Sequence, residues 1–426
     1  MSTATAMPPK KGLSPVIIIG ALFFVFGFVT WLNGTLIPFL QLACELNTSQ
    51  ALLVTFAFYM AYFFLAIPSS YILKLTGFKK GMAMGLFVMA LGALIFVPAA
   101  NMRSFLLFLI GLFVQGMGLA LLQTASNPYI TIVGPIESAA KRISIMGICN
   151  KVAGALSPII LSALVLKGAQ AIEDQTKIIT DPAQREVLLS ALAQRVIMPY
   201  IVIAAVLIIL ALLVVYSSLP EINTDEDHVG DDGNVVAPKA SVFSYRNLNL
   251  GVLCLFLYVG AEVMAGDVIG TYGKSLGMSL DQTKIFTSYT LISMVVGYII
   301  GIICIPKYIK QEKALMLSAI VGILFTAAAY VSNGYTSIVF IALLGLANSL
   351  MWPAIFPLAI KGLGKYTKIA SALLVMGIAG GAIIPQVYAF LAPSIGSQQA
   401  FLFSMLPCYL YILYYAISGH KTTSGR

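Results

Sequence analysis

The chain alternates long apolar runs with short polar breaks, and the run lengths set the architecture. Twelve runs, at 14–40, 50–75, 80–100, 104–133, 140–166, 195–219, 246–276, 282–305, 312–332, 334–361, 367–392 and 398–418, each supply the ~20 mostly apolar residues that a helix needs to cross a hydrocarbon core. Lipid offers no partner to a backbone amide or carbonyl, so such runs satisfy themselves as helices. The pattern predicts an all-α membrane protein with twelve transmembrane helices. An even number puts both termini on one side. Counting Lys and Arg in the connections gives seventeen on that side and seven on the other, with Lys151 left inside a run. The positive-inside bias then predicts cytoplasmic N and C termini.

Composition agrees with that pattern. Of 426 residues, 59% are hydrophobic and only 10% charged, with a mean hydropathy of +0.95, whereas roughly a quarter of a soluble domain is charged. The net charge of +9 would suit nucleic acid, but the cations lie in short connections where topology accounts for them, so no nucleic-acid partner is expected. Lys10 and Lys11 before an apolar run resemble a signal peptide, yet the run outlasts the ~7–15 residues of a signal core and lacks a convincing cleavage site, so it reads as the first span. Cys44, Cys149, Cys254, Cys304 and Cys408 are scattered, which indicates neither a zinc site nor a disulfide framework.

Two connections are long. In 167–194 the stretch PAQREVLLSALAQR has helical spacing and reads as a short helix at the membrane surface. In 220–245 six of the sixteen acidic residues fall among Gly, Asn and Pro, a flexible linker between an N-terminal half, 1–219, and a C-terminal half, 246–426. A metal site of Asp225, Glu226, Asp227, Asp231, Asp232 and His228 is the weaker reading of that linker. The halves show internal symmetry: Lys74 and Lys80 match Lys307 and Lys313 at an offset of 233, and Gly154 and Pro158 match Gly381 and Pro385 at 227. Parallel six-helix halves are a transporter architecture, with the substrate near the midplane between them.

Chemistry concentrates where polar residues sit at membrane depth. The stretch YVGAEVMAGDVIG, 258–270, holds Glu262 and Asp267, the two carboxylates placed in the membrane; burying a charge there costs at least ~2.5–3.5 kcal/mol, so such residues line cavities and do work. On a continuous helix, positions five apart differ by ~140° and ~7.5 Å. The two acids therefore do not form a shared carboxylate pair unless Gly266 or Gly270 unwinds the helix. Lys151 needs a partner at the same depth, and Glu262 or Asp267 supplies one across the halves. A structural ion pair, a protonation switch and a neutral lysine are all open to it. Trp31 and Asn33, Gln123 and Asn127, Asn150, and Asn348 and Trp352 offer amides to bond hydroxyls and indoles to stack on a C–H face, which suits a polyhydroxylated ring. The same amides serve equally as glue between helices, and the tryptophans as interface anchors.

The stretches TFAFYMAYFFLAIPSSYILK, LLQTASNPYI, IKGLGKYTKIASALLVMGIAGGAIIP and FGFVTWLNGTLIPFL resemble the fucose, galactose and glucose symporter family of the major facilitator superfamily, with its glucose/galactose and N-acetylglucosamine permease branch looking closer than its fucose branch. The resemblance implies the major facilitator fold. It implies a multi-pass bacterial inner-membrane transporter, functional as a monomer among membrane lipid, that imports a monosaccharide by sodium or proton symport through alternating access, with no cofactor beyond the coupling ion. An uncoupled facilitator, or an exporter of another small polar solute, is the alternative. The fucose branch has an aspartate after the asparagine matching Asn33 and a glutamate at Gln123; here those positions are Gly34 and Gln123, so its own proton acids are missing, which tilts the choice toward sodium. Asn127 and Asn150 match polar positions of the family. The offset of 233 places Gly34 opposite Asp267, so the coupling carboxylate is expected to have moved to Asp267, with Glu262 assisting. Against an enzyme, there is no His/Glu metal motif, no GxSxG and no phosphate loop, and His228 and His420 fall in linker and tail. Against a sensor, no sizeable soluble domain is present.

Overall fold

The computed structural model describes residues 15–132, 139–217, 219, 241–305, 308–363 and 366–421. The linker segment 220–240, with the acidic cluster considered above, lies outside the described residues, as do Lys10 and Lys11. Among the described residues all regular structure is helical. The first half comprises α1 (Pro15–Thr30), α2 (Asn33–Ala43), α3 (Thr48–Ala51), α4 (Leu53–Asn101), α5 (Phe105–Ile132), α6 (Ala139–Val165), α7 (Ala169–Ile178), α8 (Pro182–Gln194) and α9 (Ile197–Tyr216). The second comprises α10 (Arg246–Gly266), α11 (Ile269–Ser275), α12 (Leu280–Thr283), α13 (Phe286–Cys304), α14 (Gln311–Val331), α15 (Gly334–Asn348), α16 (Met351–Ile360), α17 (Thr367–Met376), α18 (Gly380–Ile395) and α19 (Ser397–Tyr414).

Among the described residues, eleven helical stretches are long and apolar enough to cross a membrane, and one of them, Thr48–Asn101, is 54 residues long. At 1.5 Å per residue it would reach about 80 Å, more than twice a hydrocarbon core of ~30 Å. It breaks at Gly77, where φ 76° and ψ 171° are incompatible with a helix and open to glycine. The break falls in the polar run KLTGFKK, and Lys79 Nζ donates to the Ser217 carbonyl at 2.7 Å, holding the turn to the end of α9. Split there, the eleven stretches make the twelve crossings expected from the hydrophobic pattern.

Four crossings expected as single helices are interrupted within their length, the eleventh by a 3-10 turn at Gly377–Ala379 between α17 and α18. The first breaks at Trp31–Leu32 between α1 and α2, the seventh at Asp267–Val268 between α10 and α11, and the tenth at Ser349–Leu350 between α15 and α16. Backbone freed at such a break needs new partners in lipid. On the seventh crossing they come from α13, where Thr290 Oγ1 donates to the Ala265 carbonyl at 2.7 Å and Thr287 Oγ1 to the Gly266 carbonyl at 2.8 Å. On the tenth, Pro357 has no N–H for the Pro353 carbonyl, and Gln311 Nε2 donates to it at 2.9 Å.

The halves meet along two seams, α6 against α13 and the first part of α4 against α17 and α18. On the face that carries α7 and α8, the seams are closed by named bonds. Ser49 Oγ donates to the Ala389 carbonyl at 3.2 Å, Gln386 Nε2 to the Leu52 carbonyl at 2.8 Å, and the Leu280 N–H to Gln170 Oε1 at 2.7 Å. Lys274 pairs with Glu173 at 3.2 Å across the same gap. The predicted surface helix forms as α8, with Asp181 accepting from the Ala183 N–H at 3.0 Å and Pro182 at its first turn. Its neighbour α7 is a helix the hydrophobic pattern did not foretell. Around α8, Arg103 bonds Glu45 and Glu186, and Arg185 bonds Glu45, tying the loops of the first half together. All five cysteines are free.

Candidate functional site

Lys151 lies on α6 in the first half and Glu262 on α10 in the second, and both are buried. Their Nζ–Oε1 distance is 2.8 Å, so the pair bridges the two halves at membrane depth. Of the two partners the sequence offered, Lys151 takes Glu262. Its ammonium also stands over the Trp31 ring, 4.5 Å from the centroid, within reach of the ring's negative face. Trp31 fits there because two glycines leave room: a Cβ on Gly154 of α6 or on Gly266 of α10 would meet the indole. With 2% of its surface exposed and Lys151 over its face, Trp31 is a packed ring in this conformation and presents no open stacking surface to a solute. Buried Tyr258, Tyr298 and Tyr409 surround Glu262 from the second half.

Asp267 is fully buried at the break of the seventh crossing. Tyr59 of α4 donates its hydroxyl to Asp267 Oδ2 at 3.1 Å, again from one half to the other; Oδ1 has no hydrogen-bond partner. Gly34, the residue the repeat placed opposite Asp267, has its backbone N–H directed at this carboxylate. The breaks at Trp31 and Asp267 are themselves 236 positions apart, about one helical turn from the offset of 233. The first and seventh crossings are thus both broken, at positions that differ from the sequence offset by about one turn. The unwinding near Gly266 is the condition under which five-residue spacing ceases to dictate orientation. The acids nonetheless keep separate partners, Glu262 with Lys151 and Asp267 with Tyr59.

The amides take distinct places. Gln123 Nε2 donates to the Tyr62 hydroxyl at 2.7 Å, and Tyr62 lies one turn from Tyr59 on the same face of α4. Asn150 Nδ2 reaches the Phe23 carbonyl at 3.4 Å, binding α6 to α1. Asn348 accepts from the Tyr409 hydroxyl at 2.9 Å, which joins it to the tyrosines around Glu262, and its Nδ2 is unpartnered. Asn33 is 1% exposed with neither side-chain atom partnered. Asn127 is half-buried one turn beyond Gln123 on α5. Trp352 is half-buried on α16 and stacks on Phe356, with centroids 5.9 Å apart. The layer thus contains Trp31, Lys151, Glu262 and Asp267 together, with Gln123 and Asn348 reached through tyrosines. Tyr59, Tyr62, Tyr258, Tyr298 and Tyr409 are the site residues that sequence reasoning missed.

Such a site has no activated nucleophile. Two helical bundles joined across buried, mutually bonded charges at broken helices are an architecture of membrane transporters. The model of the Major Facilitator Superfamily matches residues 19–386, and the chain belongs to that superfamily; it is a transporter and not an enzyme. It is similar to a glucose/galactose transporter of Brucella abortus, 35% identical over 94% of this chain and 93% of the relative. It is also similar to the L-fucose-proton symporter of Escherichia coli, 29% identical over 98% and 95% of the two chains. The crystal structure of that fucose transporter in the outward conformation superposes with a TM-score of 0.74 at 29% identity, covering 96% of this chain and 99% of the other.

Proposed function

We propose that the chain imports a monosaccharide of the glucose/galactose or N-acetylglucosamine class by cation symport across a bacterial inner membrane, through alternating access, with the termini and linker cytoplasmic and the α7 face outside. The observation that carries this reading is the arrangement of charge. Lys151 and Glu262 neutralise each other, which leaves Asp267 as the carboxylate free to change charge, bonded to a residue of the opposite half. A group that gains or loses a charge at such a junction biases which arrangement of the halves is stable. Trp31, Asn33, Gln123, Asn127, Asn150, Asn348 and Trp352 stay assigned to the substrate path, with Trp31 released to a solute only when Lys151 moves.

The coupling ion follows from the same geometry. Sodium asks for several oxygen ligands, whereas Asp267 has one hydroxyl in hydrogen-bond contact among the described residues. A proton asks only for a carboxyl group. This favours the proton over sodium, against the tilt the missing fucose-branch acids gave, and the proton-symporting relative supports it. The test is uptake of labelled glucose, galactose and N-acetylglucosamine into proteoliposomes under imposed proton or sodium gradients, with Asp267→Asn alongside. Accumulation should follow the proton gradient, and Asp267→Asn should lose accumulation while retaining counterflow exchange. Accumulation by Asp267→Asn equal to the native protein would sink the assignment.

A further inference from the structure

We propose that the closed α7 face holds a second monosaccharide site, separate from the deeper layer of Lys151, Glu262 and Asp267, at which a neutral sugar waits against the sealed halves. The inference rests on the sugar-transport reading above. The site is a pocket of about 370 Å³ formed by both halves, with Gln41 and Thr48 from the first and Thr271, Lys274, Tyr388 and Ser397 from the second. That volume lies in the ~300–1,000 Å³ range of small-ligand sites.

Thr271 supplies the first argument. It is only 5% exposed, it lines the pocket, and its hydroxyl has no partner in the protein. A buried hydroxyl left unpaired costs about 1–3 kcal/mol; that of Thr271 is covered from solvent in this conformation, and a χ1 turn that brings it to the pocket wall lets a ligand hydroxyl remove that cost. Charge supplies the second. Lys274 is the pocket's one cation, and both oxygens of Glu173 already accept from it, at 3.2 and 3.3 Å. An anion would have to break that clasp, so the pocket suits an uncharged solute.

The lining then specifies the class. The hydroxyl of Tyr388 lies near those of Ser275 and Ser397, and Gln41 adds an amide. Hydroxyls and amides both donate and accept, as sugar hydroxyls do. Ala389, Ala392 and Pro393 form an apolar wall suited to a C–H face.

Position separates this pocket from the deeper layer. Thr271 lies four residues past Asp267, beyond the break, on α11, which leads toward the α7 face. The Tyr59–Asp267 and Gln386–Leu52 bonds join the halves beneath it. A sugar here is held while the deeper layer stays closed, and opening of the halves turns the pocket into the approach to that layer.

The test uses the full chain in lipid nanodiscs, with equilibrium binding of labelled glucose and galactose and uptake measured on the same preparation. Two classes of site per chain are expected. Thr271→Val should weaken the looser class about tenfold, Thr271→Ser should restore it, and Ala392→Trp should abolish it, all with the tighter class unchanged. Glucose 6-phosphate should not compete for the looser class. Uptake with a single class of site untouched by Thr271→Val overturns the second site and leaves the transport reading standing. Absence of both uptake and binding for every monosaccharide tested overturns the transport reading, and this inference with it. Competition by the sugar phosphate overturns the neutral class.

Discussion

Lys151 closes an ion pair across the halves that compensates Glu262, and it covers the Trp31 ring. Taking one member from a buried pair leaves an uncompensated charge, a loss of about 3–5 kcal/mol, whereas replacing both with neutral residues of similar size is much milder. Lys151→Gln and Glu262→Gln should therefore each lower the unfolding temperature in detergent more than the double variant does. Equal losses in all three would show that the pair is not coupled. Tyr59→Phe should cost about 1–3 kcal/mol by the same measurement, because it strips Asp267 of its hydroxyl. At this scale the sequence showed the charges and narrowed Lys151 to two partners, since any buried ion demands compensation. It did not show the tyrosines. The chain has 20 of them, and a phenol is at home both in an apolar span and at a polar junction, so neither spacing nor neighbours set Tyr59 apart.

Among the elements, the broken crossings carry the site, and their repair can be tested. Thr287→Val and Thr290→Val would orphan the Gly266 and Ala265 carbonyls that these hydroxyls satisfy. Each should destabilise by about 1 kcal/mol or more, with Thr→Ser at the same positions nearly neutral. Unfolding temperatures of the four variants decide it, and valine variants as stable as the serine ones would show that the carbonyls find other partners. Gly266→Ala meets a harder limit. Its Cβ would enter the Trp31 ring, which is held on its other side by Gly154, so loss of the folded, monodisperse protein is expected, and normal yield would contradict the packing. The twelve crossings were readable because span length is imposed by the bilayer. The break at Asp267 was half readable, since Gly266 and Gly270 marked where the helix was free to unwind. The break at Ser349–Leu350 was not foreseen, because Pro353 and Pro357 alone do not distinguish a bend from an interruption.

At the scale of the whole molecule the two halves are held shut on the α7 face by few and mostly neutral bonds, with Glu173 and Lys274 the charged clasp among them. Reversing one charge should open that face and reversing both should close it again. In a chain carrying Ala389→Cys, a residue 3% exposed at the seal, labelling by a membrane-impermeant maleimide should rise severalfold with Glu173→Lys or Lys274→Glu. It should fall back in the double swap. Equal labelling in all of them would assign the closure to the neutral bonds alone. The α7 helix that makes this clasp was missed because it is short and too polar to show in an apolar pattern.

The neutral Lys151–Glu262 pair has an electrical consequence. If the carrier works by the proton symport proposed above, those two charges cancel within the moving layer, and an ionised Asp267 would give the empty carrier a net charge of −1 there and the protonated carrier none. A potential negative inside then pushes the empty carrier outward, by up to ~2.3 kcal/mol per 100 mV if the charge crosses the whole field, and leaves the loaded one indifferent. Voltage is therefore expected to speed the return stroke and not the delivery of sugar. Current recordings from reconstituted membranes should show a potential dependence of steady turnover that vanishes in counterflow exchange, where the carrier never returns empty.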